Sequence, residues 1–177
     1  MTRSTNQLFI SYHHELSQRG KLITVLHNNL HSNNFWSTRI EQLTQDQSIK
    51  IHLGIFVEPF LQYIFEGRKT VESRFSINKT APYDKVNVGD VLLLKRSGGP
   101  IIGLCQISQI WSYQLTPSLF KQIQRTFSSA LCVEGSDFWQ RKKESQYATL
   151  MAIDEIACLD SYLYIDKRDR RGWVILG

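Results

Sequence analysis

The sequence predicts an α+β protein built on a small, strongly bent mixed sheet or barrel of five or six strands, with helices inserted at two places. Two observations carry this prediction. Short apolar or alternating segments dominate from residue 51 onward, as in β-strands. Helical patterns interrupt them only twice, whereas a doubly wound fold would alternate strand and helix throughout. The composition, 42% hydrophobic and 21% charged, is that of a globular protein.

Residues 1–50 differ from the rest, because they hold four of the five histidines and no proline. Apolar residues recur at helical intervals within residues 16–31, which predicts an amphipathic helix. His27 and His31 are four apart on it, a spacing compatible with a metal, but no third ligand is close and no metal is expected. We therefore expect a helical extension and linker over 1–50, followed by one domain over 51–177.

A second helix is predicted to begin at residues 37–43, where Ser37 or Thr38 with Glu41 resembles a capping box. The later elements follow from apolar runs, caps and turns. The predicted strands cover residues 51–57, 69–75, 91–96, 101–111, 146–156 and 171–176. The predicted helices cover residues 58–67, 116–131 and 136–145, and Gly67 suits the left-handed position that ends the first of these.

Charge, hydrophobicity and cysteine content predict the kind of partner and the cellular compartment of the protein. A net charge of +5 favours a polyanionic partner. No segment approaches the roughly 18 apolar residues of a membrane span, and no signal peptide is recognisable, so a cytoplasmic protein without a membrane partner is expected. Three widely spaced cysteines, Cys105, Cys132 and Cys158, are expected to be buried free thiols.

The stretch EGRKTVESRF, residues 66–75, concentrates charge where a predicted helix hands over to a strand. Glu72 and Arg74 are two apart and so point to the same face of that strand. A carboxylate beside a guanidinium can offer an acceptor to the exocyclic amine of a base and a fork of donors to a phosphate or carbonyl. Lys69 could hold a phosphate or polarise a carbonyl. The alternative is a salt bridge that orders the corner and binds nothing.

These residues carry a resemblance to a known family. The chain contains the ungapped pattern Gly-x-Lys-x-x-Glu-x-Arg, a Gly-Asp pair before the third strand, and a closing strand in DRRGWVIL. Over about residues 51–177 the chain resembles the ASCH (activating signal cointegrator homology) family of the PUA-like superfamily. The matching residues are Gly67, Lys69, Glu72, Arg74, Gly89 and Asp90.

The resemblance implies a PUA-like β-barrel with a cleft beside the helix–strand corner. Members of the family are proposed to bind RNA or modified nucleosides there. One branch hydrolyses the acetyl amide of N(4)-acetylcytidine with the motif lysine, a threonine and a separate glutamate. Lys69 matches that lysine, whereas Glu72 stands where the branch has its threonine, and the separate glutamate has no identified match.

Two further basic segments are candidates for ligand contact. DKRDRRGW places four cations before Trp173, a combination suited to phosphate contact and base stacking, and Arg171 is the one expected to reach the cleft. The alternative is a solvated loop ahead of a core tryptophan. The basic stretch from Arg141 to Lys143 is more typical of a solubilising helix face.

Three functions are compatible with these features. The first is a binding module that holds RNA, a nucleotide or a modified nucleoside through Lys69, Glu72, Arg74 and Arg171, without a cofactor. The second is a metal-independent hydrolase of acylated nucleosides, or a ribonuclease, with Lys69 and Glu72 as catalytic residues. The third is a protein-interaction domain in which the N-terminal helix docks a partner and the cleft is vestigial. Sequence leaves the oligomeric state open.

Overall fold

A computed structural model describes residues 15–135, 137–165 and 170–176 of the chain. The elements of this part follow in the order α1 (Glu15–Leu30), α2 (Asn34–Gln45), β1 (Ile51–Phe56), α3 (Phe60–Phe65), β2 (Val71–Ser76), β3 (Val91–Arg96), β4 (Ile101–Gln114), α4 (Pro117–Phe127), α5 (Phe138–Lys142), β5 (Tyr147–Leu163) and β6 (Trp173–Ile175). None of these helices is long and apolar enough to cross a membrane.

The strands form one six-stranded sheet in the order β2-β5-β4-β3-β1-β6. The β1–β3 pair is parallel, and the other four pairs are antiparallel. This confirms the predicted mixed sheet of six strands with inserted helices. The two long central strands, β4 and β5, change register at three places along their pairing. Such bulges increase local twist and bend a sheet, so its two ends, β2 and β6, can turn toward each other.

The helices α1 and α2 are packed on the sheet. Trp36 of α2 is 1% exposed, and its indole Nε1 donates a 2.7 Å hydrogen bond to the Glu155 carbonyl oxygen of β5. The apolar face of α1 lies in the same hydrophobic cluster as residues of β1, β3, β4, β5 and β6. The helices therefore share a core with the sheet. Their buried residues in this cluster are Leu22, Ile23, Leu26, Leu30, Trp36, Ile40 and Leu43.

The start of α2 differs from the predicted capping box. The helix begins at Asn34, because the side chain of Asn33 accepts a 3.0 Å hydrogen bond from the backbone N–H of Trp36. Ser37 and Thr38 already lie inside the first turn, where their hydroxyls donate to the Asn34 carbonyl oxygen. An earlier asparagine with a free side chain competes for the N-cap position on equal terms with serine and threonine.

The cysteine prediction is correct in one part and wrong in another. All three cysteines are free, but only Cys105 is buried; Cys132 is half-buried and Cys158 is exposed. Burial raises the pKa of the Cys105 thiol well above its ordinary value. Cys158 is exposed because its neighbour Ala157 takes the inward position, and successive residues of a strand point to opposite faces.

The shared core predicts that truncating α1 destabilises the whole protein. Leu26→Ala removes a side chain that is fully buried against the sheet, and we expect a loss of about 2–5 kcal/mol in the free energy of unfolding. His27→Ala, at the exposed neighbouring position, is the matched control and should change it by less than about 0.5 kcal/mol. Urea denaturation followed by circular dichroism measures both. A small effect of Leu26→Ala would show that α1 is dispensable to the core.

Candidate functional site

The turn after α3 directs Lys69 into the protein. Gly67 adopts a left-handed backbone conformation with φ of 70°, as glycine readily does at the end of a helix. The backbone N–H groups of Arg68 and Lys69 then both donate to the Tyr63 carbonyl oxygen, at 2.9 and 3.0 Å. Lys69 is 4% exposed as a result. Arg68 stays outside, 4.0 Å above the Tyr63 ring.

A buried ion cluster forms at the start of β2. The Lys69 ammonium donates to the Val71 carbonyl oxygen at 2.7 Å and lies 3.2 Å from Glu72 Oε2. Glu72 Oε1 lies 3.0 Å from Arg74 Nε. That second contact is an ion pair without hydrogen-bond alignment, since the same Nε has no hydrogen-bond partner. One carboxylate thus serves two cations, which is the arrangement that buried charges require.

Arg74 joins the two ends of the sheet. Its Nη1 donates to the Gly172 carbonyl oxygen just before β6, and its Nη2 donates to the Ile55 carbonyl oxygen of β1, both at 3.1 Å. The guanidinium carbon lies 5.2 Å from the ring centroids of Phe56 and Trp173. Because Arg74 itself is on β2, its side chain spans the gap between the terminal strands.

A second set of buried hydrogen bonds holds Trp173 in place. Its indole N–H donates to His52 Nδ1 at 3.1 Å, and His52 Nε2 lies 2.9 Å from Asp90 Oδ2. A tryptophan N–H can only donate, so Nδ1 is the acceptor and Nε2 carries the proton. Burial favours a higher pKa for the Asp90 carboxyl, but hydrogen bonds from His52, Asn87 and Lys50 outweigh burial and lower it. The Asp90 carboxylate of the Gly-Asp pair therefore orders the His52 ring and the backbone at Lys50 and Asn87.

A cavity of about 480 Å³ opens beside the corner that Arg74 bridges. Within the part of the chain that the structure describes, its only lining carboxylate is Glu72. The lining cations are Lys69, Arg74, Arg141 and Lys142. The aromatic lining residues are Phe56, Phe60, Phe75, Tyr83, Phe138 and Trp173. Across the described ranges, no group of three or more histidine, cysteine and acidic side chains is placed to hold a metal ion.

The structure thus brings three of the predicted site residues together, Lys69, Glu72 and Arg74. Arg171 is exposed, and it is the adjacent Gly172 that lines the cavity. A Cβ at Gly172 would lie 3.1 Å from Arg74 Nη1, so glycine permits the close approach of the guanidinium. Lys167 and Arg168 of the same basic segment lie outside the described residues.

Sequence reasoning missed two features of the cavity. Thr149 of β5 is 1% exposed, lies opposite Arg74 in the strand register, and its hydroxyl has no hydrogen-bond partner. Arg141 and Lys142 line the cavity, whereas their helix appeared to be a solvated surface. Burial, then the positive charges of Arg74 and Arg141, lower the pKa of Lys142. Only the β2–β5 pairing and the position of α5 reveal these residues.

No family model matches the chain, and no curated protein matches it either. Among solved structures it is similar to ASCH from Zymomonas mobilis at 14% identity and a TM-score of 0.48, over 62% of this chain and 70% of that chain. It is also similar to a protein from Enterococcus faecalis V583 at 13% identity and a TM-score of 0.41, over 81% and 99%. The ASCH resemblance that the motif indicates is found again here, and it concerns the fold alone.

The ion cluster predicts a strong asymmetry between its variants. Glu72→Gln leaves the buried Lys69 ammonium without its counterion, and we expect a loss of about 3–5 kcal/mol in the free energy of unfolding. Adding Lys69→Met should recover part of that loss, because the orphaned charge is then absent. Urea denaturation of the single and double variants measures the coupling.

Glu66→Gln, which removes the exposed ion pair with Arg68, is the control and should leave stability nearly unchanged. If Glu72→Gln changed the free energy of unfolding as little as Glu66→Gln does, the cluster would be solvated rather than buried. Because Lys69 is buried and paired, Lys69→Ala is not a neutral probe of function.

Proposed function

We propose that this protein binds a nucleotide unit, either in RNA or as a modified nucleoside, in the cavity beside Arg74. The observation that carries the proposal is the composition of the cavity wall: among the described residues, six aromatic rings, four cations and one carboxylate line a space of about 480 Å³. Aromatic faces suit base stacking, and cations suit the phosphate backbone. The volume falls within the ~300–1,000 Å³ typical of small-molecule sites.

The ion cluster can supply base recognition. A carboxylate has about four acceptor positions, and the described contacts of Glu72 are with Lys69 and Arg74. Acceptor capacity therefore remains for the exocyclic amine of a base, as in cytosine or adenine. Because its two partners fix the carboxylate, little side-chain entropy is lost on binding.

The Thr149 hydroxyl supports a ligand in this place. Buried polar groups nearly always have a partner, and one that lacks a partner within the protein calls for a physical explanation. Thr149 is buried and lines the cavity, and its Oγ1 is unpartnered. Because this oxygen is itself buried, a bound nucleoside would have to displace neighbouring side chains of the cavity wall to supply a carbonyl, amine or hydroxyl to it.

Thr149→Val tests the binding proposal without disturbing the ion cluster. We expect wild-type protein to bind at least one of cytidine, adenosine, uridine, guanosine and N(4)-acetylcytidine, and the variant to bind it about three- to tenfold more weakly, the value of one neutral hydrogen bond. Isothermal titration calorimetry gives the affinities. The melting temperature should stay the same or rise, since valine removes an unpaired buried hydroxyl. Unchanged affinity would remove Thr149 from the site, and no binding by any of the five would reject a nucleoside site.

A hydrolase of acylated nucleosides is the second candidate, and the same hydroxyl favours it. In such a reaction the Thr149 oxygen would attack the acyl carbon, the amide nitrogen would leave with a proton, and water would release acetate and restore the hydroxyl. Lys69, which also lines the cavity, is a cation that could stabilise the oxyanion. The described residues offer no histidine in the cavity lining to act as the base.

Incubation with N(4)-acetylcytidine separates the two candidates. For a binding module we expect the nucleoside to be recovered unchanged by mass spectrometry after prolonged incubation. Cytidine that forms with wild-type protein and is reduced at least a hundredfold with Thr149→Val would instead establish a hydrolase, since loss of a nucleophile removes the covalent route.

A further inference from the structure

The cations around the cavity are not equally neutralised. Lys69 and Arg74 share the Glu72 carboxylate, whereas no ion pair in the described ranges joins Arg141 or Lys142 to any carboxylate. Both of these cations lie on α5, on the same cavity as the cluster. The α5 side of the cavity therefore carries a surplus of positive charge.

The surroundings of Lys142 favour an anion. Its ammonium is half-buried, 5.8 Å from the centroid of the Phe138 ring. Arg74 and Arg141 are close enough to disfavour its charge, and the opposing Glu72 is the weakest of the influences on it. Like charges that converge without a counterion repel one another, and a bound anion turns that repulsion into attraction.

The chemistry of the three cations matches a phosphate. Arg74 and Arg141 offer planar guanidinium groups, which suit the paired oxygens of a phosphate, and Lys142 offers a compact charge. Arg74 donates one hydrogen from each Nη to a backbone carbonyl, and each Nη carries a second hydrogen. The guanidinium can thus bridge the sheet ends and contact a ligand at the same time.

We propose that Lys142 and Arg141, together with Arg74, form a phosphate subsite, so that the ligand is a phosphorylated nucleotide rather than a free nucleoside. This inference rests on the proposed function and narrows it. The phosphate belongs either to a free nucleoside monophosphate or to the backbone of RNA. In both cases the base occupies the aromatic part of the cavity and the phosphate lies toward α5.

Calorimetry with matched ligands tests the subsite. Wild-type protein is titrated at neutral pH with cytidine, cytidine 5′-monophosphate, cytidine 3′-monophosphate and a short cytidine-containing RNA. We expect at least one phosphorylated ligand to bind tenfold or more tightly than cytidine, the factor expected for a charge-assisted hydrogen bond. An RNA that binds more tightly than either monophosphate identifies the backbone as the source; an equal affinity identifies the free nucleotide.

Two neighbouring lysines provide the variant and its control. Lys142→Gln should remove the preference for phosphorylated ligands over cytidine, and Lys142→Arg should retain that preference. Lys143→Gln removes the same charge from the exposed adjacent position and should leave every affinity within twofold. It therefore controls for the long-range electrostatic effect of losing one positive charge.

The failures of the two proposals are distinguishable. Equal binding of cytidine and its phosphates, or equal effects of Lys142→Gln and Lys143→Gln, would overturn the phosphate subsite and leave nucleoside binding standing. Absence of binding by all four ligands, and by the other nucleosides titrated against Thr149→Val, would overturn the nucleotide site itself.

Discussion

The carboxylate of Glu72 is the constraint on which the corner of this protein depends. It is buried between the Lys69 ammonium and the half-buried Arg74 guanidinium, and Lys69 could not be buried as a cation without a counterion. By orienting Arg74, it also sets the contact between β2 and the opposite end of the sheet, where Arg74 meets the backbone at Ile55 and Gly172. In the described part of the chain, the two ends of the sheet are therefore joined by the Arg74 side chain rather than by a ladder of backbone hydrogen bonds.

That mode of closure explains why the cavity lies where it does. A continuous ladder between terminal strands would fill the gap, whereas a single guanidinium leaves space beside it. Trp173, which lies beside Arg74 in the cavity wall, is held by the buried hydrogen bonds that run from its indole through His52 to Asp90. α5 adds Phe138 and the two cations Arg141 and Lys142, which form no ion pair in the described ranges, to the lining. The cavity thus combines aromatic rings with cations, a combination that suits a base and a phosphate.

The sequence predicted the mixed six-stranded sheet well, because alternation, caps and glycine turns are local signals. Thr116, for example, caps α4 at its predicted place. It also singled out Lys69, Glu72 and Arg74, which lie together in the structure, since three charges cluster within one short segment. What it missed depends on long-range placement: Thr149 joins the site only through the pairing of β5 with β2.

The role of each site residue was harder to predict than its presence. Spacing along β2 placed Glu72 and Arg74 side by side, but not the backbone carbonyls that Arg74 reaches across the sheet. Arg171 was expected in the cleft, yet it is exposed beside the Gly172 that lines it. Pattern reasoning does not reach this irregular segment, because no periodicity fixes which of its residues face the cavity.

The most direct test of this account is a crystal structure of the protein with cytidine 5′-monophosphate. We predict that the nucleotide lies in the cavity beside Arg74, with its base against aromatic rings of the lining and within hydrogen-bonding distance of Glu72 or Thr149. Its phosphate should lie within hydrogen-bonding distance of Lys142. A nucleotide bound elsewhere on the protein, or one whose phosphate points away from α5 into solvent, would contradict it.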